Sequence, residues 1–313
     1  MQRRCTLADL TTKLGPLTLK NPVMTASGTF GYGVEYDEFF PISDLGAVVV
    51  KGIAPLPVHG NPTPRVAETV SGMLNAIGLQ GPGVDKFLHD SHYLPYLRKA
   101  NATVIVNMWG KKLEDYAYVA ERLEAEKDGI AALEINVSCP NIKEGGISFG
   151  TNTKSMMEVV SAVRKATNIP LITKLSPNVT KIADFAKAAE DAGSDMISLI
   201  NTIPAMAIDI ETRRPKIANV TGGLSGPCIK PVAIKMVYEA AKAVRIPVIG
   251  MGGIMSGNDA VEFLLAGASA VAVGTAIFAD PYAPVRVINE INEYLDKHNF
   301  KSLEEIIGQV RIG

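Results

Sequence analysis

The stretch E-I-N-V-S-C-P-N at 134 to 141 places an asparagine, a serine, a cysteine and a second asparagine where an apolar run, 132–137, gives out. Pro140 has no N–H to donate, so a strand ends there. The glycine-rich run K-E-G-G-I-S-F-G to Gly150 follows and delays the next helix to about Thr151. Polar groups at such a place face a cleft, and a long loop in a compact α/β fold is usually a lid or a binding loop. Cys139 is the candidate acid/base. A free thiol titrates near pH ~8.5, so activity should rise into the alkaline range unless the loop lowers that value.

Seven further strand ends are needed to make a site around it. Short apolar runs at 22–26, 47–50, 103–107, 132–137, 170–173, 196–200, 247–250 and 270–273 read as eight strands. Amphipathic helical patterns fall between them at 113–127, 154–167, 181–192, 231–244, 258–266 and 284–297. Such alternation gives the α/β class, with a closed (β/α)8 TIM barrel as the leading architecture and a doubly wound open sheet as second. Residues 6–20 break at Gly15-Pro16 and form an N-terminal hairpin. Insertions follow strands 2, 4 and 6. The first, 52–83, carries Pro55, Pro57, Pro62 and Pro64; the last, 201–226, contains A-I-D-I-E-T-R-R-P-K-I, which looks like an added hairpin. One domain over 1–313 accounts for the whole chain.

The residues just past the strands are Ser27, Lys51, Asn107, Asn136 with Cys139, Lys174, Asn201 with Thr202, Gly252-Gly253 and Gly274-Thr275. Each alone is an ordinary loop-start residue. Together, two lysines and three asparagines at equivalent strand ends converge on the mouth of a barrel. I-G-M-G-G-I and V-A-V-G-T-A place bare backbone N–H groups at the last two strands beside a helix N-terminus, which predicts a phosphorylated cofactor or substrate with its phosphate there. Lys174, in I-T-K-L-S-P, admits a Schiff base, as in barrel aldolases, or a fixed positive charge beside a ring that gains electrons. The thiol leans toward redox or proton transfer. A barrel kept only as a binding subunit is the remaining reading.

Composition excludes several classes. Thirty-one basic and thirty-two acidic residues leave a net charge of -1, so no global field favours nucleic acid or an anionic membrane. The start shows no apolar signal core, and the longest apolar run, 268–279, is too short to span a bilayer; a soluble, cytoplasmic protein is expected. Cys5, Cys139 and Cys228 stand far apart without a C-x-x-C, so no iron–sulfur cluster or zinc ribbon is expected in this chain, and Cys5 and Cys228 read as inert. The histidines (His59, His89, His92, His298) show no ligand pattern; no metal is expected, and His89 with His92 reads as a solvated helix face.

Over essentially its whole length the chain resembles the catalytic subunits of class 1B dihydroorotate dehydrogenases. The matching motifs are N-P-V-M-T-A-S-G-T-F-G-Y-G at 21 to 33, G-N-P-T-P-R at 60 to 65, N-A-I-G-L-Q at 75 to 80, I-N-V-S-C-P-N at 135 to 141, T-K-L-S-P-N at 173 to 178, G-G-L-S-G at 222 to 226, G-M-G-G-I at 250 to 254 and V-G-T at 273 to 275. The resemblance implies FMN across the barrel mouth, touched by Ser27, Lys51, Gly52, Asn107, Asn136, Lys174 and Ile200, with its phosphate on Gly226, Gly252, Gly253, Gly274 and Thr275. It places dihydroorotate on Lys51, Asn75, Ala76, Ile77, Gly78, Leu79, Asn136, Asn201 and Thr202. Cys139 would take the C5 proton while hydride leaves C6 for flavin N5, and Lys174 would steady negative charge on the reduced ring. Orotate, in de novo pyrimidine synthesis, is the implied product.

The membrane-bound class of this family has a serine base and an N-terminal membrane helix; here a cysteine stands at that place in the motif and no such helix is read. T-F-G-Y-G-V-E-Y resembles the branch that passes electrons to a separate subunit bearing FAD and a [2Fe–2S] cluster and on to NAD, as a heterotetramer of two catalytic and two electron-transfer chains. A class 1A-like enzyme using fumarate is the alternative acceptor scheme. Gly81, where the family often has asparagine, and Met108-Trp109, in place of a smaller pair, depart from the pattern and bear on pocket shape.

Overall fold

The strand runs are apolar at almost every position because both faces of each strand are covered. In the computed structural model, which describes residues 8–137 and 149–313, eight strands pair in parallel: β1 (Val23–Thr25), β2 (Val48–Ile53), β3 (Val104–Met108), β4 (Ile130–Asn136), β5 (Leu171–Lys174), β6 (Met196–Leu199), β7 (Val248–Met251) and β8 (Ala270–Val273). Each predicted run overlaps one of them, with ends that differ by up to three residues. The sheet runs in chain order, β8 pairs with β1, and a parallel bridge from Met24 to Ala47 brings β1 to the head of β2, so the sheet curls into a barrel. The expected (β/α)8 barrel is the observed one, and the open sheet is not. Cys5 and Cys139 lie outside the described residues, as does most of the insertion after strand 4.

Alternation along the strands splits the core in two. Outward residues such as Val48, Val50, Val104, Val106, Leu133, Ile135, Ile197 and Val271 meet the apolar faces of the surrounding helices. These include α1 (Val84–His89), α2 (Leu94–Lys99), α3 (Leu113–Ala125), α4 (Thr153–Ala166), α5 (Ile182–Asp191), α6 (Lys230–Ala243), α7 (Gly257–Ala266), α8 (Ala276–Ala279) and α9 (Ala283–His298). Inward residues Met24, Val49, Ile105, Ala132, Ile172, Met196, Ile249 and Ala270 fill the barrel with Leu14 and Leu19 of the N-terminal hairpin (Thr12–Leu14 with Leu17–Leu19). That hairpin closes the amino-terminal end of the barrel.

Two residues further along, the inner face turns polar on β2 to β6, while on β1, β7 and β8 it stays apolar with Ala26, Met251 and Ala272. Val49 gives way to Lys51, Ile105 to Asn107, Ala132 to Glu134 and Asn136, Ile172 to Lys174, and Met196 to Ser198. The insertions after β2 and β6 stand above this polar end. Their segments Ile203–Ala205, Gly222–Ser225, Gly72–Asn75 and Val66–Thr69 form one antiparallel sheet in that order, with Gly223 opposite Asn75 and Ile203 opposite Leu224. The expected extra hairpin is Ile208–Asp209 paired with Arg214–Pro215. His92 lies beyond the end of α1, not on the helix with His89; the two pair separately with Asp90 and Glu126 at the surface. Among the described residues no helix is long and apolar enough to cross a membrane, and no cluster of three His, Cys, Asp or Glu side chains is placed to hold a metal.

Candidate active site

The polar end of the barrel and the overlying sheet enclose a cavity of about 940 Å³. Ser27, Lys51, Gly52, Asn107, Asn136, Lys174, Ile200, Asn201, Thr202, Gly226, Gly252, Gly253, Gly274 and Thr275 line it, together with Asn75, Ala76, Ile77, Gly78 and Leu79. All the described candidate residues therefore come to one place. Val66, Met73, Asn178, Asn219, Thr221, Ser225 and Phe278 also line it. Asn178 and Ser225 stand inside the motifs given above; Val66 and Met73 come from the overlying sheet, Asn219 and Thr221 from the connection leading into its strand at Gly222, and Phe278 from α8, where the sequence has no strand-end signal.

The floor is a buried polar cluster. Lys174 Nζ donates to Ser27 Oγ at 3.1 Å and lies 3.6 Å from Glu134 Oε1. Asn107 Nδ2 donates to the same oxygen at 2.6 Å, and Ser198 Oγ donates to Glu134 Oε2 at 2.8 Å. Register sets this up: Asn107 is the partner of Glu134 across β3 and β4, and Lys174 faces Asn136 on one side and Ser198 on the other. Removing two charges from water costs several kcal/mol per ion before pairing. Such a pair is poor evidence of stability and better evidence of a task. A lysine held by a carboxylate suits a fixed positive charge, the second of its two chemistries, more than the neutral amine a Schiff base needs. Glu134 escaped the sequence reading as a site residue although it opens the stretch at 134 to 141; a charge inside an apolar run was the available signal.

Three chain segments meet at the other side of the cavity with their backbones bare. Gly226, Gly252 and Gly253 have φ of 102°, 126° and 81°, a region costly for any side chain. A Cβ at Gly253 would stand 2.8 Å from Gly226 O and 3.1 Å from Lys230 N, at the start of α6. Thr275 donates to Ser225 Oγ at 2.8 Å, tying the end of β8 to the overlying sheet.

Over the mouth, residues 75–79 are held by Asn61, whose Nδ2 donates to Ala76 O at 2.9 Å and whose N–H donates to Ile77 O at 3.0 Å. Arg65 donates to Asn61 O and to Gln80 Oε1. Burial pushes the Lys51 ammonium pKa below the ordinary lysine value, the positive charge of Arg65 adds to that, and Glu35 opposes it. The two departures noted in the sequence act from behind the wall. Gly81 and Trp109 are not among the lining residues; a Cβ at Gly52 would stand 3.0 Å from Trp109 Cδ1, and one at Gly81 3.0 Å from Gly52 O.

Residues 9–295 match the family model described as dihydroorotate dehydrogenase. The chain belongs to the dihydroorotate dehydrogenase family. Among its relatives, the protein of Geobacter sp. (strain M21) described as "Dihydroorotate dehydrogenase B (NAD(+)), catalytic subunit" is 53% identical over 304 residues, which cover 97% of this chain and 99% of that one. Proteins of the same description from Bacteroides fragilis and Geobacter sulfurreducens are each 54% identical, covering 98% and 97% of this chain and 100% and 99% of their own. Near-complete coverage on both sides means that this family likeness takes in the barrel, the hairpin and the insertions together.

Proposed function

We propose that this chain is the catalytic subunit of an NAD-linked, class 1B dihydroorotate dehydrogenase: one FMN-binding domain that oxidises (S)-dihydroorotate to orotate in pyrimidine synthesis. The observation that supports it most is the meeting of a buried Lys174–Glu134 pair with asparagines on one side of the cavity and bare glycine backbone on the other.

The residues present fit FMN. Gly226, Gly252 and Gly253 can turn N–H groups to a phosphate because no Cβ screens them, and Gly274 and Thr275 complete that side. The volume, at the upper end of the roughly 300–1,000 Å³ of ligand sites, suits a nucleotide-sized cofactor with a small planar substrate. Bound FMN would supply a two-electron acceptor for the hydride from C6. Cys139 would remove the C5 proton. Lys174 would hold positive charge where negative charge develops, with Ser27, Gly52, Asn107 and Ile200 completing the cofactor contacts. Lys51 and the amides of Asn75, Asn136 and Asn201 would orient the carboxylate and ring polar groups of the substrate, with Thr202 and residues 76–79 closing over it. The electrons would leave through a partner subunit carrying FAD and a [2Fe–2S] cluster to NAD, in a heterotetramer; the relatives' description as one subunit supports a partner.

Purified protein should be yellow and should bleach anaerobically when dihydroorotate is added. Cys139→Ser should remain yellow and reduce its flavin slower by orders of magnitude in stopped flow, because the base and no cofactor contact has changed. A colourless protein trapped by borohydride with a carbonyl substrate would replace this reading with the aldolase one.

A further inference from the structure

Glu134 is 1% exposed and accepts from Asn107 Nδ2 and Ser198 Oγ while facing Lys174. A carboxylate only accepts hydrogen bonds, so Asn107 must turn its NH2 toward it. The amide oxygen then points the other way. It lies 2.9 Å from where a Cβ at Gly52 would stand, and both residues line the cavity. An unconstrained asparagine offers a ligand either face of its amide; this one has its face chosen before any ligand arrives, which lowers the ordering cost of binding.

We propose that Glu134 is a positioning residue that fixes Asn107 as a hydrogen-bond acceptor in the cavity, so that the site selects a ring presenting an imide-type N–H at that point. The inference deepens the flavin reading and rests on it. The flavin ring carries such an N–H at N3, and a dihydropyrimidine carries them too. An acceptor aimed at that group favours a ring protonated there over one with a bare ring nitrogen, which would leave two acceptors facing each other in a buried place.

Ligand-observed NMR tests this with 15N-labelled FMN, then with 15N-labelled orotate on the FMN-loaded protein. The parent should show one ligand N–H shifted downfield and protected from solvent exchange. In Glu134→Gln, whose amide donates as well as accepts and so frees Asn107 to turn, that signal should move upfield and exchange at least about tenfold faster. Asn107→Ala should do the same with Glu134 intact, and decides the matter if the glutamine variant does not fold. Ser198→Ala, which removes a different donor from Glu134, should keep the protected signal. A protected flavin N–H assigns the acceptor to the cofactor and a protected orotate N–H assigns it to the substrate; either supports the proposal. Protection that survives in Glu134→Gln or in Asn107→Ala overturns it, as does equal loss in Ser198→Ala. FMN that binds with no protected N–H, where orotate shows none either, overturns this inference alone. A parent that binds no FMN overturns the flavin reading with it.

Discussion

Lys51 is a cation held where burial and a neighbouring Arg65 both disfavour charge. Its pKa is depressed, so it is charged at low pH and loses the charge as pH rises through a value below that of an ordinary lysine. For the proposed anionic substrate, KM should therefore climb on the alkaline side earlier than a solvent-exposed lysine would allow. Arg65→Gln removes one cause of the depression and should move that limb to higher pH, read from KM profiles of the two proteins. An unmoved limb would remove Lys51 from the role. The strand-end residues were legible in the sequence because barrel geometry sends equivalent positions to one rim. Glu134 was not, since nothing in its spacing shows that the strands on either side supply Asn107 and Lys174. Cys139 lies outside the described residues, and its part in the chemistry rests on the motif.

Elements keep these residues in register, and one joint between elements carries a titratable lock. Glu124 at the end of α3 accepts from Thr167 Oγ1 at 2.6 Å and from the N–H of Asn168 at 3.0 Å, just after α4, and pairs with Lys127. These bonds, that from Lys127 foremost, hold its carboxyl at about 2 against an ordinary value of 4.5. A depressed carboxyl stabilises the fold above its unfolded pKa, and that contribution fades as pH falls from about 4.5 toward about 2. Glu124→Gln should lower Tm near neutral pH, with the gap to the parent narrowing through that window; a constant gap would show that the carboxylate charge is irrelevant. Strands and helices were readable from periodicity because burial on both faces or on one leaves distinct patterns. The pairing of Gly72–Asn75 with Gly222–Ser225 was not, because the partners are far apart in the chain and rich in glycine.

At the scale of the molecule the barrel is closed at one end by the hairpin and at the other by the roof sheet. Leu14 and Leu19, essentially inaccessible, share the interior with the inward strand residues. Leu19→Ala should cost roughly 2–5 kcal/mol by leaving a void in a place that cannot collapse, measured by denaturant titration. Flavin content of the folded fraction should be unchanged, since the void is at the opposite end from the cavity. A loss below about 1 kcal/mol would mean the hairpin is a loose lid with little share in the packed interior.

The roof has a consequence for how this protein can vary. Its inner strands come from separate excursions of the chain, and each supplies half of the hydrogen-bond ladder that carries Asn75 on one side and Gly223 on the other. Neither excursion can be lengthened, shortened or swapped alone without slipping the other by a residue and turning its side chains away from the cavity. A chimera that exchanges both with those of a relative should fold and keep its ligands. One that exchanges a single excursion should carry an intact barrel beneath a mismatched ceiling.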